Sequence, residues 1–98
     1  MGSTIASIGS SVYALNDQSR LHCDNGPAVI LKDGTEKWYR NGELHREDGP
    51  AIVNPDGTHA WYIYNTNVTI KVNAWLCENG YSLPLTPEQL FEFKLRFT

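Results

Sequence analysis

The chain is short of the residues that mark several classes of function. Its two cysteines, Cys23 and Cys77, are far apart in sequence and make no metal-type pair. A disulfide framework or a thiolate metal site would need more of them. No stretch approaches the roughly 20 apolar residues that cross a bilayer. Met1 to Ser11 is rich in Gly and Ser but lacks the basic stretch and continuous apolar core of a secretory signal. A cytoplasmic protein with reduced thiols is therefore expected. Positive charge is scarce and scattered. The eight Lys and Arg residues form no cluster, and eleven acids leave a net charge of −3. That balance disfavours nucleic acid and anionic membranes as partners.

What is present is a repeat. Leu21-His22-Cys23-Asp24-Asn25-Gly26-Pro27-Ala28 recurs as Leu44-His45-Arg46-Glu47-Asp48-Gly49-Pro50-Ala51. At the same offset Asp33-Gly34-Thr35 matches Asp56-Gly57-Thr58, and Trp38-Tyr39 matches Trp61-Tyr62. Ten positions are identical, without a gap, at a spacing of 23. Each unit reads as a hairpin meander. Ala28 to Leu31 and Glu36 to Arg40 are β-prone runs about the Asp33-Gly34 turn, and Asn41-Gly42 is a type I′ signal leading to Glu43-Leu44-His45. Arg46 to Pro50 makes a corner, and the next cycle begins at Ala51. Val12 to Asn16 with Arg20-Leu21-His22 resembles a worn copy of Trp38 to His45, and after Tyr64 the pattern fails.

The last third differs. Val72 to Asn79 before Gly80 reads as a short helix with a glycine stop. Thr86-Pro87-Glu88-Gln89 is a helix start with a capping box. Beyond it Phe91, Phe93, Leu95 and Phe97 alternate as in a strand, while Leu90, Phe93 and Phe97 fit a helix; helix is favoured. The expectation is one α+β, β-dominant domain over 1–98. It comprises a flexible N-terminus at 1–11, a β-repeat region at 12–65 and a helical cap at 66–98.

The string from Trp38-Tyr39 through Asn41-Gly42, Leu44-His45-Arg46, Asp48-Gly49-Pro50-Ala51 and Asp56-Gly57-Thr58 to Trp61-Tyr62 resembles MORN-like repeat proteins. It is more closely similar to small repeat proteins of this type in tailed bacteriophages. The resemblance spans about residues 12 to 65 and departs from ordinary MORN repeats where Asp-Gly-Pro-Ala replaces spaced glycines. It implies an antiparallel β array used for interaction or assembly, as in phage accessory factors that bind and alter a host component.

His22 and His45 share a slot, so stacked units would set them on one face. A metal there would want Cys23, Asp24 or Glu47 as further ligands. The alternative is a structural imidazole that packs on a tryptophan or bonds a loop carbonyl, as expected of a residue each repeat demands. His45-Arg46-Glu47-Asp48 holds acid, base and cation, but the other parts of a phosphoryl-transfer site are missing. Cys23 adjoins His22, yet neighbours on a strand point apart, so nucleophilic catalysis is disfavoured. Neither an enzyme, a metal nor a cofactor is expected. Trp38 and Trp61 are assigned to the core, leaving Tyr39, Tyr62, Tyr64 and Arg40, with His45 and Arg46, as candidate contact residues, or else the tyrosines form a secondary core under the C-terminal helices. Tyrosine and arginine together are typical of protein interfaces. A host protein is the expected partner, with homodimerisation through open strand edges as a second expectation. Two rivals remain. One is a nucleotide or nucleic-acid binder stacking bases on tyrosine with Arg20, Arg40 and Arg46 on phosphate. The other is a minimal metal or hydrolase site at the histidines.

Overall fold

A computed structural model of the chain describes residues 4–98. β1 (Thr4–Ile8) and β2 (Ser11–Leu15) form an antiparallel hairpin. Eight two-residue strands come next: β3 (Val29–Ile30), β4 (Glu36–Lys37), β5 (Tyr39–Arg40), β6 (Glu43–Leu44), β7 (Ile52–Val53), β8 (His59–Ala60), β9 (Tyr62–Ile63) and β10 (Thr66–Asn67). Two helices close the chain, α1 (Thr69–Asn79) and α2 (Pro87–Phe97). The architecture is the expected β-dominant meander with a helical end.

The runs Glu36 to Arg40 and His59 to Tyr64 are each broken at their tryptophan. The Trp38 N–H donates to the Ala51 carbonyl at 2.7 Å, and the Trp38 carbonyl accepts from the His45 N–H at 3.0 Å. One bond faces each neighbour, so the chain passes here from one ladder to another. The first ladder is a six-stranded sheet in the order β1-β2-β3-β4-β7-β8. The other strands form two separate two-stranded sheets, the hairpins β5–β6 and β9–β10. Single bonds tie each hairpin to the preceding repeat: Gly42 N–H to the Leu21 carbonyl and Asn65 N–H to the Leu44 carbonyl, both 2.8 Å.

The repeat's turns are set by their residues. Asp33 Oδ1 accepts the Thr35 N–H at 2.9 Å, and Asp56 Oδ1 accepts the Thr58 N–H at 3.0 Å. Between each pair a glycine sits at a φ that L side chains resist, 98° at Gly34 and 91° at Gly57. These turns account for the duplicated Asp-Gly-Thr.

The array extends beyond the expected 12–65 at both ends. Thr4–Ile8 of the expected flexible 1–11 segment pairs with β2 over five residues, because its Thr and Ile are strand formers. Residues 1–3 of that segment lie outside the described residues. Ala14, not Val12, holds the first tryptophan slot. Its N–H donates to the Ala28 carbonyl at 2.7 Å and its carbonyl accepts the His22 N–H at 3.0 Å, repeating the bonds of Trp38. The worn copy is thus displaced by two residues, because the ladder to Ala28 sets the register rather than the match at Tyr13. After Tyr64 the hairpin continues into β10. Tyr64 and Asn65 turn it at φ 45° and 69°, in the slots of Asn41 and Gly42 at 50° and 84°.

There the helices take over. Ala74, one repeat beyond Ala51, already lies in α1, so the Trp61 N–H is received by the Thr69 hydroxyl at 2.9 Å instead of a strand carbonyl. α1 stops at Gly80, φ 65°, whose N–H bonds the Cys77 and Leu76 carbonyls. α2 begins on a complete capping box, with Thr86 bonded to the Gln89 N–H and Gln89 reaching back to the Thr86 N–H. Helical spacing wins over alternation because it puts Phe93 and Phe97 on the side that covers Trp61 and Trp75. Trp61, Ile63, Val72, Trp75 and Phe93 form the buried cluster, with Tyr81, Leu85 and Phe97 against it. Fully burying Trp61 removes on the order of 200 Å² from water, about 5 kcal/mol at most. Phe91 and Leu95, the other members of the alternating set, are exposed.

The turn hydrogen bonds hold the Asp33 and Asp56 carboxyls below the ordinary aspartate range. A depressed folded-state value stabilises above the unfolded value, and the gain is lost as pH falls through the folded value. Stability should therefore decline in this acid range. Asp33→Asn together with Asp56→Asn should flatten the decline in urea titrations run across that range; an unchanged acid limb would contradict the assignment.

Candidate functional site

The duplicated Leu-His pair explains how one repeat is fastened to the next. His45 lies just past β6 with its side chain 1% exposed. Its Nδ1 accepts the Tyr64 N–H at 2.8 Å, and its Nε2 meets Glu47 Oε2 at 2.9 Å. Because Nδ1 accepts a backbone donor, the ring proton sits on Nε2 and points at the carboxylate. His22 does the same one repeat earlier. Its Nδ1 accepts the Asn41 N–H at 3.0 Å and its Nε2 meets Asp24 Oδ1 at 2.8 Å. Each imidazole thus reaches nineteen residues ahead, to the turn of the following hairpin. A turn N–H and a carboxylate replace the loop carbonyl or tryptophan expected from sequence. Tyr64 adds its ring to His45, with centroids 4.0 Å apart.

Two successive corners, Cys23 to Pro27 and His45 to Asp48, enclose a cleft of about 550 Å³. Trp38, Tyr39 and Arg40 form its floor between them, and Lys94 of α2 reaches its rim. Arg46 is fixed within it. Its guanidinium carbon lies 3.9 Å from the Trp38 ring centroid, its Nε donates to Asp48 at 2.7 Å, and its Nη1 donates to the Pro50 carbonyl at 3.0 Å. Gly49 leaves room for this arrangement: a Cβ there would come within 2.8 Å of the guanidinium carbon, and Arg46 would have to shift. Gly26, where Cys23 replaces Arg46, has open space instead.

Arg40 is held more loosely. Its side chain is 45% exposed and its nearest carboxylate contact is Glu47 at 3.6 Å. Burial pushes the Tyr39 phenol above its ordinary range, and the neighbouring Tyr62 adds to the effect. The two repeat tyrosines are therefore close enough to feel one another.

Of the residues singled out from sequence, Tyr39, Arg40, His45 and Arg46 come together at the cleft. Tyr62 and Tyr64 do not line it; Tyr62 accepts from Asn67 Nδ2 at 3.3 Å, and Tyr64 lies half exposed against His45. Trp38, assigned to the core beside Trp61, is only half buried and forms part of the cleft floor under Arg46. Its place was hidden because the two tryptophans share a sequence context and differ only in the elements C-terminal to them. Lys94 had no sequence signal, since its position depends on how α2 docks. Among the described residues, no three His, Cys, Asp or Glu side chains are grouped to hold a metal ion, and no helix is long and apolar enough to cross a membrane. No family model, curated protein or solved structure matches the chain.

Removing the His45 ring leaves the Tyr64 N–H and a half-buried Glu47 carboxylate without their partner. His45→Ala should cost about 2–4 kcal/mol, by analogy with other buried polar deletions. His22→Ala, at a more open site, should cost about 1 kcal/mol. Urea denaturation of the two variants measures the difference, and equal small losses would contradict the fastening role.

Proposed function

We propose that the chain is a non-enzymatic binding module that engages a partner protein at the cleft between its two repeat corners. The observation that carries this is the concentration of Trp38, Tyr39, Arg40 and Arg46 in one concave site with a rigid floor. Aromatic and arginine side chains supply large contact area and bidentate donors at little entropic cost, and they dominate measured hot spots. Arg40 and Tyr39 are the contact residues; Arg46 is a wall, held by its Nε and Nη1 bonds to Asp48 and the Pro50 carbonyl. The resemblance to small phage repeat proteins supports an accessory factor that binds and inhibits or redirects a host protein.

His22 and His45 fit the non-enzymatic reading, because both ring nitrogens of each are engaged and neither has a nitrogen free to act as base. Asp24, Glu47 and Asp48 share the cleft with Arg40, Arg46 and Lys94. Three acids beside three cations suit a mixed-charge protein surface better than a phosphate chain.

Tagged full-length protein, incubated with lysate of the native host, should retain one protein at near-equal stoichiometry. Arg40→Ala and Tyr39→Ala should each weaken that retention about 10- to 30-fold, the range of a hot-spot truncation. Capture that is unaffected by both variants, or salt-sensitive retention of nucleic acid in place of a protein, would overturn the reading.

A further inference from the structure

The two ends of the β array are finished differently. At the C-terminal end, α1 and α2 cover Trp61 and Ile63. At the other end the six-stranded sheet simply stops at β1, which pairs with β2 on one side and with no described residue on the other. Half of its backbone donors and acceptors therefore face outward. β1 and β2 are also the longest strands, five residues each against two for every other, while the opposite edge, β8, is only His59–Ala60.

Exposed edges in monomeric proteins are guarded by charge, proline or a bulge, which block further pairing. β1 has none of these. No charged residue precedes Asp17, no proline precedes Pro27, and the ladder runs without interruption from Thr4↔Leu15 to Ile8↔Ser11. Ile5 and Ile8, on opposite faces by alternation, are 65% and 71% exposed.

We propose that β1 is a self-association strand, through which a second copy of this chain adds antiparallel and joins the two sheets into one. The strand is compatible with itself. Paired about Ala6, it sets Ile5 across from the copy's Ser7 and Thr4 across from its Ile8, with the smallest side chain on the two-fold axis and no like charges facing. An uncharged strand offers nothing to select a foreign strand by charge, whereas self-pairing closes with two-fold symmetry. No β1 residue lines the cleft, so the proposal stands apart from the binding function. A single five-residue pairing is smaller than a standard interface of about 1,200–2,000 Å², so the dimer should be concentration-dependent, in the micromolar range or weaker.

Sedimentation of the full chain from low micromolar to millimolar concentration should show an 11.0 kDa species giving way to one of twice that mass. Ile5→Lys, which places like charges diagonally across the axis, should remain monomeric throughout, and Ile8→Lys, which puts a charge at each end of the pairing opposite Thr4, should shift the transition to higher concentration, both with an unchanged circular dichroism spectrum. Hydrogen exchange on the unaltered protein provides a second measure, since β1 amides should become better protected as concentration rises. A monomer at all concentrations, dimerisation undiminished in both variants, or β1 exchange independent of concentration would overturn the proposal. Protection of β1 by a captured foreign protein, with the free chain monomeric, would also overturn it.

Discussion

An imidazole that accepts a turn N–H on one nitrogen and donates to a carboxylate on the other fastens each repeat to the next. At two residues per strand, backbone pairing alone gives each hairpin few bonds, and an isolated hairpin is marginal in water. His22 and His45 add a bond to the following turn, at Asn41 and Tyr64, just where the chain reverses at positive φ. The carboxylates of Asp24 and Glu47 hold each ring in the one tautomer that can accept that bond. Sequence spacing, turn position and ring orientation are therefore one device, used twice.

The cleft is a consequence of the same device. Because each corner adjoins or contains its histidine, fastening the histidine also fixes where Cys23 to Pro27 and His45 to Asp48 stand. The floor between them is the strand that changes ladder at Trp38. Arg46 then closes over that tryptophan, which a glycine at position 49 permits. The second tryptophan has a different fate. Thr69 stands where another Arg46 would be, and Phe93 approaches Trp61 to a centroid distance of 5.1 Å. Identical residues thus serve as cleft floor in one repeat and as core in the next.

Much of this is legible in the chain. The offset of 23 gives the repeat, Asp-Gly-Thr and Asn-Gly give the turns, and Thr86 with Gln89 gives the start of α2. Three features were not. The break at Trp38 and Trp61 leaves no mark, because a strand changing ladder keeps the same β-prone residues. The Ala14 register was masked by an aromatic match at Tyr13, while the backbone bonds to Ala28 decide it. The composition of the cleft was half visible: Tyr39, Arg40 and Arg46 are read from the repeat, but Lys94 arrives by tertiary docking from nearly fifty residues away.

The fold depends on both histidines being fixed by the next repeat along the chain. Nitrogen-edited NMR of the imidazoles tests this most directly. Both rings should show the Nε2–H tautomer, with hydrogen-bond scalar couplings linking Nδ1 of His22 to the Asn41 amide and Nδ1 of His45 to the Tyr64 amide. Rapidly exchanging tautomers with no such coupling, for either ring, would contradict the central claim.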